Sequence, residues 1–285
     1  MSIALKSVSY TYAADTPYAV QALDDVSVTF NEGEFVGIIG KTGCGKSTLI
    51  QMIDGLLTPD SGTVLFNGDD IHYKKFDRRI LRENIGVVFQ FPDYQLFETT
   101  VERDVAFALK HSSLSKKEMQ NRVAEALEAV GFDYDKVKDK SPLSFSGGEK
   151  RRIAIAGVLA AKPKYLILDE PVAGLDPMGR EDFLKMLDRL NQNGTAIIMI
   201  SHNTDALAEY TQRIILMCDG KIIRDGRAED ILTDYALLEK NEVHAGQICN
   251  ISRMLREKSF DIPDNTVKYK QFIEEICKIC GRDEI

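Results

Sequence analysis

At 285 residues the chain has room for one large domain or two modest ones, and 44% hydrophobic residues suffice for a core. A formal net charge of −8 argues against nucleic acid as a partner, because phosphate-backbone binding needs clustered positive charge. No stretch approaches the ~20 consecutive apolar residues of a membrane span, the N-terminus lacks a signal-peptide profile, and five cysteines fit reduced thiols in the cytoplasm.

Leu5 to Tyr12 and Asp25 to Phe30 alternate as strands, with Val26, Val28 and Phe30 on one face. Asn31-Glu32-Gly33 turns from that antiparallel pair into a buried strand, Phe35-Val36-Gly37-Ile38-Ile39. Tyr10 and Tyr12 share a strand face, where a ring either stacks on a purine or fills half-buried sheet surface. Gly40-Lys41-Thr42-Gly43-Cys44-Gly45-Lys46-Ser47 follows the buried strand, and Thr48-Leu49-Ile50 opens a helix, the context that G-x-x-x-x-G-K-[ST] requires. The glycines let backbone N–H groups approach a triphosphate, and the helix end adds positive potential. Lys46 supplies a charge near the β and γ oxygens, and the Ser47 hydroxyl a ligand for Mg²⁺.

Thr58 to Gly62 reads as a loop, and Thr63 to Phe66 as a strand entering an Asn67-Gly68 turn. Ile85 to Phe89 is a second buried strand. It ends on Gln90 at the carboxyl edge of the sheet, where open α/β folds place ligands. There Gln90 either orients water or Mg²⁺, or is an ordinary polar strand end. Thr99 with Glu102, and Ser115 with Glu118, fit capping boxes for helices carrying Val101, Val105 and Leu109, then Val123, Ala126, Leu127 and Val130. Residues 91–145 thus read as an inserted all-α subdomain, beginning with an aromatic loop, Phe91 to Phe97, suited to docking.

Ser146-Gly147-Gly148-Glu149 repeats the capping-box spacing at a helix start that makes a second anion site. Tyr165 to Leu168 is a strand delivering Asp169 and Glu170 to its carboxyl end. Asp169 is the candidate Mg²⁺ ligand and Glu170 the candidate group to polarise an attacking water. Asp176-Pro177 caps a helix with Phe183, Leu184, Leu187 and Leu190 on its apolar face. Ala196 to Ile200 delivers Ser201-His202 to the same sheet edge, where a γ-phosphate contact is expected of His202. Arg213 to Met217 and Lys221 to Ile223 pair as a hairpin across Asp219-Gly220. Beyond Arg227 the pattern is helical, with stripes Ile248, Ile251, Leu255 and Phe272, Ile276, Ile279 that need a surface to bury against. Cys277 and Cys280 have no second cysteine pair and read as a helix face.

Together Gly40–Ser47, Gln90, Ser146-Gly147-Gly148-Glu149, Leu168-Asp169-Glu170, Leu175-Asp176 and His202 resemble, in order and spacing, the motif set of ATP-binding-cassette (ABC) ATPases, over residues 1 to 240. Phe89 to Phe97, Ala154 to Ala160 and Ala173 to Arg180 are similar to the energy-coupling-factor ATPases of importers for vitamins or for cobalt and nickel ions. The resemblance implies an α/β fold: a P-loop NTPase core with a mostly parallel sheet, an N-terminal antiparallel β subdomain, an inserted all-α subdomain, and a helical C-terminal extension over 241–285. It implies ATP and Mg²⁺ as cofactors, with Tyr12 stacking on adenine and contacts from Gly40, Lys41, Thr42, Gly43, Cys44, Gly45, Lys46, Ser47 and Thr48. Ser47, Gln90 and Asp169 would hold Mg²⁺, Glu170 would be the general base, and Lys46, Gln90 and His202 would complete the catalytic set.

Ser146, Gly147, Gly148 and Asp176 would then serve the ATP of a second ABC ATPase, the same chain or a paralogue. The other partners implied are an integral membrane coupling protein and a substrate-binding membrane protein, with the chain peripheral on the cytoplasmic face of the cell membrane. Phe145, Glu149 and Val172 depart from the family's usual Leu, Gln and Thr. The rival readings are a soluble cassette acting on ribosomes or DNA and a metabolic P-loop kinase. The single cassette and acidic balance disfavour the first; the Ser-Gly-Gly helix and Asp-Glu pair disfavour the second.

Overall fold

The structure, a computed structural model, describes residues 1–89, 95–110 and 112–281. Strands β1 (Ser2–Tyr12), β2 (Val20–Asn31) and β3 (Phe35–Ile39) precede helix α1 (Lys46–Ile53). Then come β4 (Ser61–Phe66), β5 (Asp69–Asp70), α2 (Arg79–Asn84) and β6 (Ile85–Val88). A helical run holds α3 (Val101–Ala106), α4 (Lys116–Ala129), α5 (Tyr134–Val137) and α6 (Gly147–Leu159). Alternation resumes with β7 (Tyr165–Asp169), α7 (Pro177–Gln192), β8 (Ala196–Ile200), α8 (Thr204–Tyr210), β9 (Arg213–Cys218) and β10 (Lys221–Arg227). The chain closes on α9 (Ala228–Leu232), α10 (Tyr235–Lys240), α11 (Gln247–Glu257) and α12 (Tyr269–Ile279). This is an α/β fold with an antiparallel N-terminal sheet, a parallel core and a helical C-terminal part.

The chain packs as two compact units. One comprises Ile3–Phe30, Glu34–Leu65 and the residues from Ile200 onward. Within it β2, β1 and β4 are neighbours in that order. The alternation of β2 puts Val26, Val28 and Phe30 in the core, whereas β3 is buried at all five residues. A strand covered on both faces has no solvent side, so its sequence is apolar throughout. β9 runs parallel to β3, from Val36 opposite Arg213 to Ile39 opposite Leu216, and antiparallel to β10. The β9–β10 connection is the two-residue turn Asp219-Gly220, both with positive φ (46° and 77°), the geometry that matches strand twist. Strand β4 starts at Ser61, inside the stretch expected as loop. Gly62 (φ 83°) lets it lie against β1, because a Cβ there would come within 2.2 Å of the Ser7 carbonyl oxygen.

In the C-terminal part of this unit the buried face of α11 is Cys249 and Ser252. The expected stripe only flanks it: Ile251 is 43% exposed, and its neighbour Met254 58%. Burial pushes the Cys249 thiol up to about 11, so it stays protonated. Phe272 anchors α12. Among the described residues no group of three or more His, Cys, Asp and Glu side chains is arranged to hold a metal, and Cys277 and Cys280 are free thiols.

The other unit comprises Met1–Ser2, Asn31–Gly33 and Phe66–Met199. There β8, β7 and β6 are neighbours, β6 parallel to β7 with Ile85 opposite Tyr165 and Val88 opposite Leu168. The helical insertion packs α3, α4 and α6 through Val101, Val105, Leu109, Val123, Leu127 and Ile153, each at most 3% exposed. Side chains of this size contribute about 1.5–3 kcal/mol apiece when fully buried, so the insertion has its own core. The first helix is capped one residue later than expected: Thr100, not Thr99, accepts from the Arg103 N–H. Glu102, expected to close the box, instead accepts the Tyr134 hydroxyl at 2.5 Å. A tertiary partner has taken the carboxylate that local spacing assigned to the cap. The Ser115–Glu118 box forms as expected, and Gly131 (φ 86°) ends its helix region.

Candidate active site

Beyond β3 the chain enters a loop whose glycines are obligatory. Gly40 has φ 148°, and a Cβ on it would lie 2.2 Å from the Met217 carbonyl oxygen and 2.8 Å from Cys44 Sγ. Gly45 has φ 104°, and its Cβ would lie 2.3 Å from the Ala22 carbonyl oxygen. Gly43 (φ 80°) has open space around it, so conformation alone demands glycine there. The loop closes on itself through Lys46, whose buried ammonium donates to the Gly40 and Lys41 carbonyls at 2.6 and 2.9 Å. Gly45 precedes α1 and brings no capping side chain to this helix end, where backbone N–H groups and the helix dipole favour an anion. A polyphosphate fits here on chemistry: donors at a helix end, a cation inside the loop, and no Cβ in the way.

The rest of the loop is held from the same unit. Lys41 Nζ pairs with Asp219 at 3.4 Å and Glu242 at 3.5 Å, and the Asp219 hydrogen bond leads in raising its pKa. Cys44 is buried. Burial pushes its thiol up more than Lys46 pulls it down, so a neutral thiol faces the lysine. Ser47 is exposed and Thr48 buried. Tyr12, at the end of β1, reaches α1: its hydroxyl donates to Gln51 Oε1 at 3.1 Å and stands 3.3 Å from Thr48 Oγ1. His202 belongs to this unit and is exposed; the preceding Ser201 is fully buried, its N–H donating to the Ile38 carbonyl.

The other unit carries the carboxylates. All five residues of β7 are buried, and Asp169 is its last. Glu170 then takes a left-handed backbone, φ 48°. A non-glycine residue held there costs about 1–3 kcal/mol and persists only where the surroundings fix it. The surroundings are visible. The Ala173 N–H returns to the Glu170 carbonyl, and Arg151 from α6 donates to the Pro171 and Ala173 carbonyls, 2.8 Å each. Arg151 is 7% exposed, and it ties the turn after the two acids to the helix that begins at Ser146. In the sequence it stands in the charged run Glu149-Lys150-Arg151-Arg152, and nothing there separates it from its less buried neighbours.

Ser146 caps α6 in a complete box. Its hydroxyl accepts from the Glu149 N–H, and the Glu149 carboxylate receives the Ser146 N–H at 2.8 Å. These bonds, the backbone one first, hold the Glu149 carboxyl below the usual carboxylate range. Gly147 and Gly148 differ from the loop glycines. Both are helical; a Cβ on Gly147 meets nothing within 4 Å, and one on Gly148 only Leu175 Cδ2 at 3.4 Å. Asp176 caps α7, accepting from the Gly179 N–H at 2.9 Å.

The expected site residues therefore form two groups. Tyr12, Gly40 to Thr48 and His202 belong to one unit; Ser146 to Gly148, Asp169, Glu170 and Asp176 belong to the other. Gln90 lies outside the described residues, as do Phe91 to Tyr94 of the aromatic loop. Each group contains hard oxygen donors of the kind Mg²⁺ prefers, the Ser47 hydroxyl in the first and the Asp169 and Glu170 carboxylates in the second.

Comparison with known proteins agrees with this chemistry. Residues 23–173 match the model of the ABC transporter family. The energy-coupling factor transporter ATP-binding protein EcfA2 of Clostridium tetani is 43% identical over 280 residues, 98% of this chain and 97% of that protein. The solved structure of cbiO1 from Clostridium perfringens, described as part of the ABC transporter complex cbiONQ, superposes with a TM-score of 0.75 at 36% identity, covering 89% of this chain and 98% of that one. A dimeric, ADP- and Pi-bound post-hydrolysis structure of the ATP-binding cassette MJ0796 gives 0.69 at 29% identity, over 79% and 98%.

Proposed function

The chain belongs to the ABC transporter family, as an ATPase most like those of energy-coupling-factor importers, and on that premise we propose that it closes head to tail with a second cassette over two ATP molecules. Tyr12 carries the adenine; the loop from Gly40 to Thr48 grips the phosphates, Lys46 foremost. Ser47, Asp169 and Gln90 would hold Mg²⁺, which would offset charge on the phosphates. Glu170 accepts the proton of the attacking water, and His202 contacts the γ-phosphate. Ser146, Gly147, Gly148 and Asp176 act on the ATP of the facing cassette, which is a second copy or a paralogue.

One observation carries the pairing. Among the described residues, Gly147 and Gly148 meet no conformational or steric need for glycine. Glycine at a helix N-terminus with open space beside it suits an anion approaching from outside. The dimeric MJ0796 cassette supports the same reading. Hydrolysis removes the γ-phosphate bridging the two halves, so closure loses the contact that favoured it. Membrane partners would be a coupling protein, reached through the aromatic loop after Gln90, and a substrate-binding protein that selects a vitamin or a cobalt or nickel ion. The structure named for cbiO1 as part of the cbiONQ complex supports such an assembly. No helix among the described residues is long and apolar enough to cross a membrane. A peripheral position on the cytoplasmic face is consistent with that, with 1–240 as the ATPase domain and 241–285 as an extension that helps pair the ATPases.

The test is Glu170→Gln with the membrane partners present. Hydrolysis should fall about 10²–10⁴-fold with ATP binding retained. Turnover at the wild-type rate would remove Glu170 from the mechanism. Affinity purification from solubilised membranes should bring down a second cassette and integral proteins, and a chain recovered alone would sink the importer assignment.

A further inference from the structure

We infer that Gln51, with Thr48, is a positioning residue for the nucleotide base, fixing the Tyr12 ring from helix α1. The inference rests on Tyr12 being the base platform. Tyr12 ends β1, where a strand has no further ladder to steady it, and it is 38% exposed. An exposed phenol is satisfied by water and needs no protein partner, yet this one has two. Its single proton goes to Gln51 Oε1 at 3.1 Å, so the Thr48 hydroxyl at 3.3 Å supplies the proton of the second contact. Thr48 and Gln51 are three apart and share one face of α1, which is how both reach the same oxygen. Tyr10 holds the ring from a third direction, edge to face, with centroids 4.9 Å apart and planes at 88°.

The anchoring helix is the one that opens with Lys46 and Ser47. A single rigid element therefore sets both the phosphate grip and the base platform, about 7.5 Å apart along its axis from Lys46 to Gln51. A ligand with a purine at that distance gains from the held ring; a bare polyphosphate does not.

The experiment measures binding of MgATP and of magnesium tripolyphosphate to the full chain by calorimetry. Gln51→Met should weaken MgATP about 2- to 12-fold, the loss of one neutral hydrogen bond, and leave tripolyphosphate within about twofold. Tyr12→Phe should weaken MgATP at least as much, since it removes the Thr48 contact as well, and Gln51→Met added to Tyr12→Phe should cost nothing more, because the partner is already gone. Additive losses, or equal weakening of both ligands, overturn the inference, since Gln51 would then act on the helix and not on the ring. Tyr12→Ala separates it from the reading beneath. Stacking predicts a loss of about 5- to 150-fold for MgATP. If Tyr12→Ala binds MgATP like the wild type, the base platform falls and takes the inference with it. If Tyr12→Ala loses affinity while Tyr12→Phe and Gln51→Met do not, only the positioning role falls.

Discussion

The starts of α1 and α6 both carry glycine, and they use it for opposite reasons. Around α1 the glycines serve the chain itself. Gly40 and Gly45 hold φ of 148° and 104°, and a Cβ at either would strike a backbone carbonyl within 2.3 Å. At α6 the glycines meet no such need among the described residues: Gly147 and Gly148 are helical, and a Cβ there finds open space or a single flexible leucine. The caps differ in the same sense. The start of α1 lacks a side-chain cap, whereas the start of α6 is closed by a reciprocal Ser146–Glu149 box. The first is a site built by the fold. On the proposed pairing, the second is an ordinary helix start with the side chains cleared away for a group brought by another molecule.

Substitutions sharpen the contrast. Lys46→Ala removes the cation from inside the loop and should lower ATP hydrolysis by about 10²–10³-fold. A steady-state assay with the partners present checks it, and a loss of under tenfold would deny the lysine its role. Gly40→Ala should act on stability, costing at least about 2 kcal/mol in urea unfolding, because left-handed strain and a carbonyl clash fall together. Gly148→Ala reverses the pattern: stability within about 0.5 kcal/mol, since alanine is the better helix former, but ATPase activity lowered about tenfold or more, as a methyl intrudes on the facing ATP. Should Gly148→Ala destabilise as Gly40→Ala does, the two helix starts are alike and the distinction collapses.

Legibility in the sequence divides along the same line. The loop of α1 is written in eight consecutive residues because its constraints are local: strand, positive φ, helix. The Ser115 and Ser146 boxes are equally local, four residues each, and both form. What the sequence hid are pairings across distance. Tyr12 and Gln51 are 39 residues apart, Arg151 and the Pro171 carbonyl 20, and no periodicity announces either. Competition hid the rest. Glu102 left the Thr99 cap for Tyr134, and on α7 Met186 is buried where Leu190 was expected, because the packing surface follows the neighbours and not the apolar residues alone. The apolar stripe of α11 is likewise only half used, with Cys249 and Ser252 at the contact.

The smallest effects separate cap from site most cleanly, because the protein contains its own control. Ser115 and Ser146 cap α4 and α6 with the same box, each hydroxyl 2.6 or 2.8 Å from its glutamate and each serine N–H held at 2.8 Å. Replacing either serine by alanine should cost about 1 kcal/mol of stability. The glutamates add a pH dependence of the same sign in both. Their carboxyls are held low by the serines, so each box stabilises above the ordinary carboxylate pKa and fades as pH falls through the depressed value. By unfolding, then, Ser115→Ala and Ser146→Ala should be twins. By ATPase assay they should not: Ser115→Ala should keep the wild-type rate, and Ser146→Ala should lose about tenfold, one hydrogen bond to a charged group. Equal activity in the two variants would reduce Ser146 to a cap, and with it the case that α6 points at another cassette's ATP.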